Sequence, residues 1–84
     1  MAGLTTLVNI GKELDRKLKS VGITTAEELI EVGAEGAFVR LKMYYPNISL
    51  VHLYAIEGAI TGTDFDKLPE VTKRKLKDIS DYLK

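Results

Sequence analysis

The 84-residue sequence has no cysteine. That excludes a disulfide framework and any thiolate nucleophile or metal ligand. It has a single histidine, His52, in an apolar stretch where a structural or surface role outweighs that of a base. With no cysteine partner, no H-E-x-x-H, no calcium loop and no Gly-rich phosphate loop, no reactive constellation can be assembled. Asp64 and Asp66 resemble half a calcium loop but lack the remaining ligands. The expectation is a non-enzymatic protein without cofactor or metal. No apolar run approaches the roughly 20 residues of a membrane span. The N-terminus lacks the charged and apolar segments of a signal peptide, so a cytoplasmic location is expected. Net charge is also missing, with 12 Lys and Arg against 12 Asp and Glu. Strong non-specific attraction to a polyanion is therefore disfavoured. Strict alternation, Asn-Gly or Asp-Gly hairpins and β-branched runs are absent, so no strand is predicted.

What is present is helical. Ile10, Leu14, Leu18 and Val21 recur at helical spacing. They predict a helix over 10–21, with Asn9 as N-cap and Gly22 as its stop. Thr24 and Thr25 each stand three residues before a glutamate, in capping-box spacing. The short helix they open is expected to bury Ala26, Leu29 and Ile30 and to end at Gly33. A third helix over 34–45 carries Ala37, Phe38, Leu41, Tyr44 and Tyr45 inward and stops at Pro46. Ser49 caps a fourth, "SLVHLYAIEGAITG", apolar on nearly every side and so placed at the centre. There Gly58 and Ala59 are small enough for a neighbouring helix to approach, and Gly62 terminates the element. Pro69 starts a fifth helix, with Thr72, Leu76, Ile79 and Leu83 inward and Lys73, Arg74, Lys77 and Asp81 outward. The fold class is all-α: one domain over 1–84, a compact orthogonal bundle of about five short helices, helix-hairpin-helix or SAM-like.

Charge is segregated although the total is zero. Glu27, Glu28, Glu31 and Glu35 form an acidic stretch, the candidate protein interface. Lys12 and Arg16, with Lys73, Arg74 and Lys77, are the candidate nucleic-acid contacts. A solvated helix face is the plainer account of both. Glu57 sits on an apolar stripe, where a carboxylate must be paired, hydrogen-bonded or protonated. A structural bond is the expectation, with a ligand or partner contact as the alternative. The corners Val8-Asn9-Ile10-Gly11 and Val21-Gly22-Ile23-Thr24 each half-match the hydrophobic-Gly-hydrophobic-Gly hairpin that lets backbone N–H groups approach phosphate. Asn9 and Thr24 replace one glycine each, and both also suit caps, so these corners serve the fold first.

"NIGKELDRKLKSVGITTAEELIEVGAEGAFVRLK", "LYAIEGAITG" and "LPEVTKRKLK" together resemble the C-terminal domain of TfoX (Sxy), a bacterial regulator of competence for DNA uptake. The resemblance spans about 7–83. It implies an all-helical domain, no catalysis and a role in transcriptional regulation of competence. The N-terminal domain typical of TfoX proteins is expected to be absent from these residues. The leading functional expectation is a regulatory or adaptor module that binds another protein. The alternative is a weak nucleic-acid-binding helix-hairpin-helix module.

Overall fold

A computed structural model describes residues 3–83. Four α-helices occur among them: α1 (Lys12–Ser20), α2 (Ala26–Tyr44), α3 (Leu50–Thr61) and α4 (Glu70–Tyr82). Short 3₁₀ turns cover Leu4–Thr6 and Phe65–Lys67. No strand forms among the described residues; a lone antiparallel bridge joins Gly3 to Thr25. The radius of gyration is 11.6 Å, close to the roughly 12 Å expected of a compact domain this long. None of the described helices is long and apolar enough to cross a membrane.

The helix ends follow from local chemistry. Gly22 takes φ +88°, and the N–H groups of Gly22 and Ile23 return to the carbonyls of Lys19 and Leu18 at 3.1 and 3.0 Å. This double return satisfies two orphan carbonyls of α1. Thr25 caps α2 by accepting the Glu28 N–H at 3.1 Å. The Glu28 carboxylate reaches back to the N–H of Thr24 at 3.2 Å and to the Thr24 hydroxyl. Ser49 precedes α3, with its N–H donating to Nδ1 of His52 at 3.1 Å, so the histidine closes a capping arrangement. Gly62, at φ +75°, ends α3, and Pro69 precedes α4.

At Gly33 the structure departs from a simple helix. The expected boundary there appears as a break inside α2, with Gly33 at φ +83° and ψ 164°. That conformation is open essentially to glycine alone. The second half of α2 turns Ala34, Ala37, Phe38 and Leu41 inward against α3. α3 also packs against α4 and the 65–67 turn, which puts it at the centre. Leu18, Ile23, Leu29, Phe38, Leu41, Leu53 and Ile56 are wholly buried. Each contributes on the order of 1.5–3 kcal/mol by leaving water.

Four expectations need correction. Ile30 is 54% exposed and Tyr44 70% exposed, because Leu29 and Leu41 take the inward positions of their turns. Asn9 is not the N-cap of α1; Gly11 holds that place. Gly58 does not make room for a helix. A Cβ there would run into the carbonyl oxygen of Thr63 and the side-chain amide of Asn9. On α4 the buried residues are Leu76 and Ser80, the latter not foreseen as inward.

Candidate functional site

Asn9 ties the start of the chain to the end of α3. Its amide donates to the carbonyls of Ala55 (3.3 Å) and Thr63 (2.9 Å), and its Oδ1 accepts the Phe65 N–H at 3.2 Å. The residue sits at φ +71°, which asparagine tolerates better than most side chains. Both donor and acceptor are spent inside the protein. The Asn9 side chain is therefore committed to the fold and is not available to an outside phosphate. Thr24 is likewise engaged, through its N–H and hydroxyl to Glu28.

The acidic stretch is not one surface. Glu28 is held by Thr24 and Thr25, and the Thr24 hydroxyl bond keeps its carboxyl below the usual range. Beyond the Gly33 break, Glu35 lines a different part of the molecule from Glu27 and Glu31. It joins Glu57, Thr72, Lys75 and Ile79 around a cleft of about 220 Å³ between α2, α3 and α4. Glu57 is half-buried there. Among the described residues its carboxylate has no hydrogen bond or ion pair, so the structural bond expected for it is not found. Access to water at the cleft wall removes the need for one.

Upstream of the break, Glu27, Ile30 and Glu31 are all exposed. Their spacing of three and four residues sets them side by side on one helix face. A half-exposed isoleucine between two carboxylates is a surface that sequence periodicity had assigned to the core. Beside it, Glu31 and Glu28 line an open polar hollow with Gly22, Val32 and Arg40.

The cationic candidates are dispersed. Lys12 and Arg16 lie on α1, which packs on α2 and the 4–6 turn; Lys73, Arg74 and Lys77 lie on α4, which packs on α3. Arg16 is paired with Glu13 at 2.6 Å, an ion pair that holds the Glu13 carboxyl below its ordinary value. Lys77 is paired with Asp81 at 3.1 Å, which raises its ammonium pKa. Lys73 Nζ donates to the Asp66 carbonyl at 3.3 Å. Among the described residues, Lys12 and Arg74 are the exposed cations of this set that make no such bond. Among the described residues no group of three or more His, Asp or Glu side chains could hold a metal ion.

His52 lines a groove of about 220 Å³ with Glu13, Lys17 and Val51. Burial first, then the nearby Lys17 charge, lowers its pKa below the ordinary 6.5. The neutral ring also suits its acceptance of the Ser49 N–H.

Comparison with known proteins gives a family. The model of the TfoX C-terminal domain matches residues 1–79. Two solved structures are similar over nearly their full length. One, an uncharacterized protein from Listeria monocytogenes in a triclinic form, is 39% identical with a TM-score of 0.95, covering 98% of this chain and 93% of that one. The other, a protein of unknown function from Listeria monocytogenes in a tetragonal form, is 38% identical with a TM-score of 0.93, covering 96% of this chain and 99% of that one. No curated protein matches the chain.

Proposed function

The chain belongs to the TfoX C-terminal domain family, and we propose that it is a non-enzymatic regulatory or adaptor module that acts by binding another protein. This agrees with the regulatory, competence-related role the family suggests. We read the corner between α1 and α2 as a helix-hairpin-helix-like element that serves the fold, since Ile23 is wholly buried behind Gly22. The carrying observation is the outward face of α2, where Ile30 is 54% exposed between the exposed Glu27 and Glu31. An isolated exposed apolar side chain is ordinary. One bracketed by charges on a capped, well-anchored helix has the composition of a small contact surface, an apolar centre with a polar rim. Glu28 is excluded from this surface because the cap of α2 occupies it.

A photo-cross-linking residue at position 30, introduced in the native cell, should capture a discrete protein. The same residue at the exposed Lys67 should not, and Glu27→Lys with Glu31→Lys should abolish capture with helicity intact. Equal capture from both positions would overturn the reading. The competing nucleic-acid reading is separated by titration with duplex DNA. About four phosphate contacts would give a log–log salt slope near about −3.6. Such a slope, lost in Lys12→Glu with Arg74→Glu, would replace the protein-contact reading.

A further inference from the structure

We propose that the cleft between α2, α3 and α4 is a binding site for a free α-amino acid with a short aliphatic side chain. Polar side chains reach it from all three helices. Glu35 comes from α2 just beyond the Gly33 break, Glu57 from α3, and Thr72 and Lys75 from α4. Leu76 and Ile79 stand four residues beyond Thr72 and Lys75 and share their face of α4. Among the described residues, the side chains of Glu35, Glu57, Thr72 and Lys75 make no hydrogen bond or ion pair within the chain. Elsewhere opposite charges close on one another: Glu13 on Arg16, Asp15 on Lys19, Asp64 on Lys67 and Lys77 on Asp81. Those partners are three or four residues apart, whereas the cleft holds Glu35 and Glu57 apart from Lys75 on separate helices. Asp78, three residues beyond Lys75, does not pair with it either. Two carboxylates, an ammonium and a hydroxyl are therefore open to whatever enters.

An amino acid zwitterion satisfies all of them. Its ammonium donates charge-assisted hydrogen bonds to the carboxylates of Glu35 and Glu57. Its carboxylate accepts from the Lys75 ammonium and the Thr72 hydroxyl. Either end alone is opposed. A bare amine brings a second cation beside Lys75, and a bare acid brings a third carboxylate beside Glu35 and Glu57. The remaining wall is apolar, with Leu76 buried and Ile79 half-buried, which suits an aliphatic side chain. The cleft measures about 220 Å³. At about 30 Å³ per water it holds about seven waters, room for valine or leucine and well below a drug-sized pocket of about 300–1,000 Å³. It lies on the other side of the Gly33 break from Glu27, Ile30 and Glu31, so it is a second site that does not depend on the contact reading.

Titration of the isotope-labelled full chain with L-leucine, followed by amide chemical shifts, tests this. Saturable shifts with a Kd of about 1 mM or tighter are expected, largest around Glu35, Glu57 and 72–79. Isocaproate and isoamylamine, which carry only one charged end each, should bind at least about tenfold more weakly. Glu57→Gln and Lys75→Gln should each weaken L-leucine binding at least about tenfold. Because neither side chain has a partner within the chain, both variants should keep the wild-type urea midpoint. Should Glu57→Gln lose helicity, Glu35→Gln, at an exposed position, is expected to show the same weakening. The absence of saturable shifts up to about 20 mM L-leucine, or shifts that saturate elsewhere on the molecule, would overturn the proposal. So would folded variants that bind like wild type, or either one-ended analogue binding as tightly as L-leucine.

Discussion

Replacing Asn9 by glycine probes the tie between the chain start and the end of α3. The φ of +71° at this position suits glycine, so the change removes the side chain without backbone strain. Three hydrogen bonds are lost, to Ala55, Thr63 and Phe65. At about 0.5–1.5 kcal/mol net for each bond, the loss is about 1.5–4.5 kcal/mol. The added freedom of the unfolded chain contributes about 0.4–1 kcal/mol more. For a domain of this size each kcal/mol lowers Tm by about 4–8 °C, so the melt should fall by at least about 8 °C. Gly58 supplies an internal control. A methyl group at Gly58 meets both Thr63 and the Asn9 amide. Overpacking of about 1–3 kcal/mol should therefore outweigh the roughly 1 kcal/mol by which alanine favours a helix. In the Asn9→Gly background one of the two obstacles is gone. Gly58→Ala should then cost at least about 0.5 kcal/mol less, a coupling that a double-mutant cycle in urea resolves. An Asn9→Gly variant melting within about 2 °C of wild type, or a Gly58→Ala cost identical in both backgrounds, would refute the account of this corner.

Two further outcomes are expected. Gly33→Ala should lose about 1–3 kcal/mol on backbone grounds alone, since its φ and ψ are glycine-specific while a Cβ there would meet nothing within 4 Å; a urea midpoint equal to wild type would show that α2 can straighten at no cost. His52 should make stability fall with acid: its folded pKa lies below 6.5, so the unfolded chain binds the proton more readily, and the contribution is complete above the unfolded value and lost as pH falls through the folded one. The urea midpoint should drop between about pH 7.5 and about pH 5.5 and be flatter in His52→Gln, above the range where most carboxylates titrate; an unchanged slope in that variant would assign the acid sensitivity elsewhere.

The parts of the fold legible in the sequence are those fixed by near neighbours. Gly22, Thr25, Ser49 and Gly62 mark helix ends because a cap involves residues three to five positions away. Pro46 and Pro69 act through their own ring geometry. What stayed hidden depends on distant partners. Asn9 reads as a cap when only its neighbours are known; its actual partners lie 46, 54 and 56 residues on. Helical periodicity placed Ile30 and Tyr44 inward, but it identifies a stripe and not its edges. The inward slots nearby are filled by Leu29 and Leu41. Glu57 seemed to require a bond because its neighbours are apolar, yet its position beside a cleft leaves it access to water. The acidic run reads as a single patch in one dimension. Its division between Glu31 and Glu35 follows from the backbone conformation of one glycine.

That glycine also separates the two halves of α2 in rotational phase. Along an unbroken helix, adding one residue turns everything beyond it by about 100°. An insertion after Phe38 would thus swing Leu41 off the core. At Gly33 the helical rotation is not transmitted, and the orientation of 34–44 is set by its own packing on α3. The α2 contact face and the central packing layer can therefore drift in register independently. A change of length at this joint alters the angle between them while leaving each side's pattern of buried and exposed residues in place.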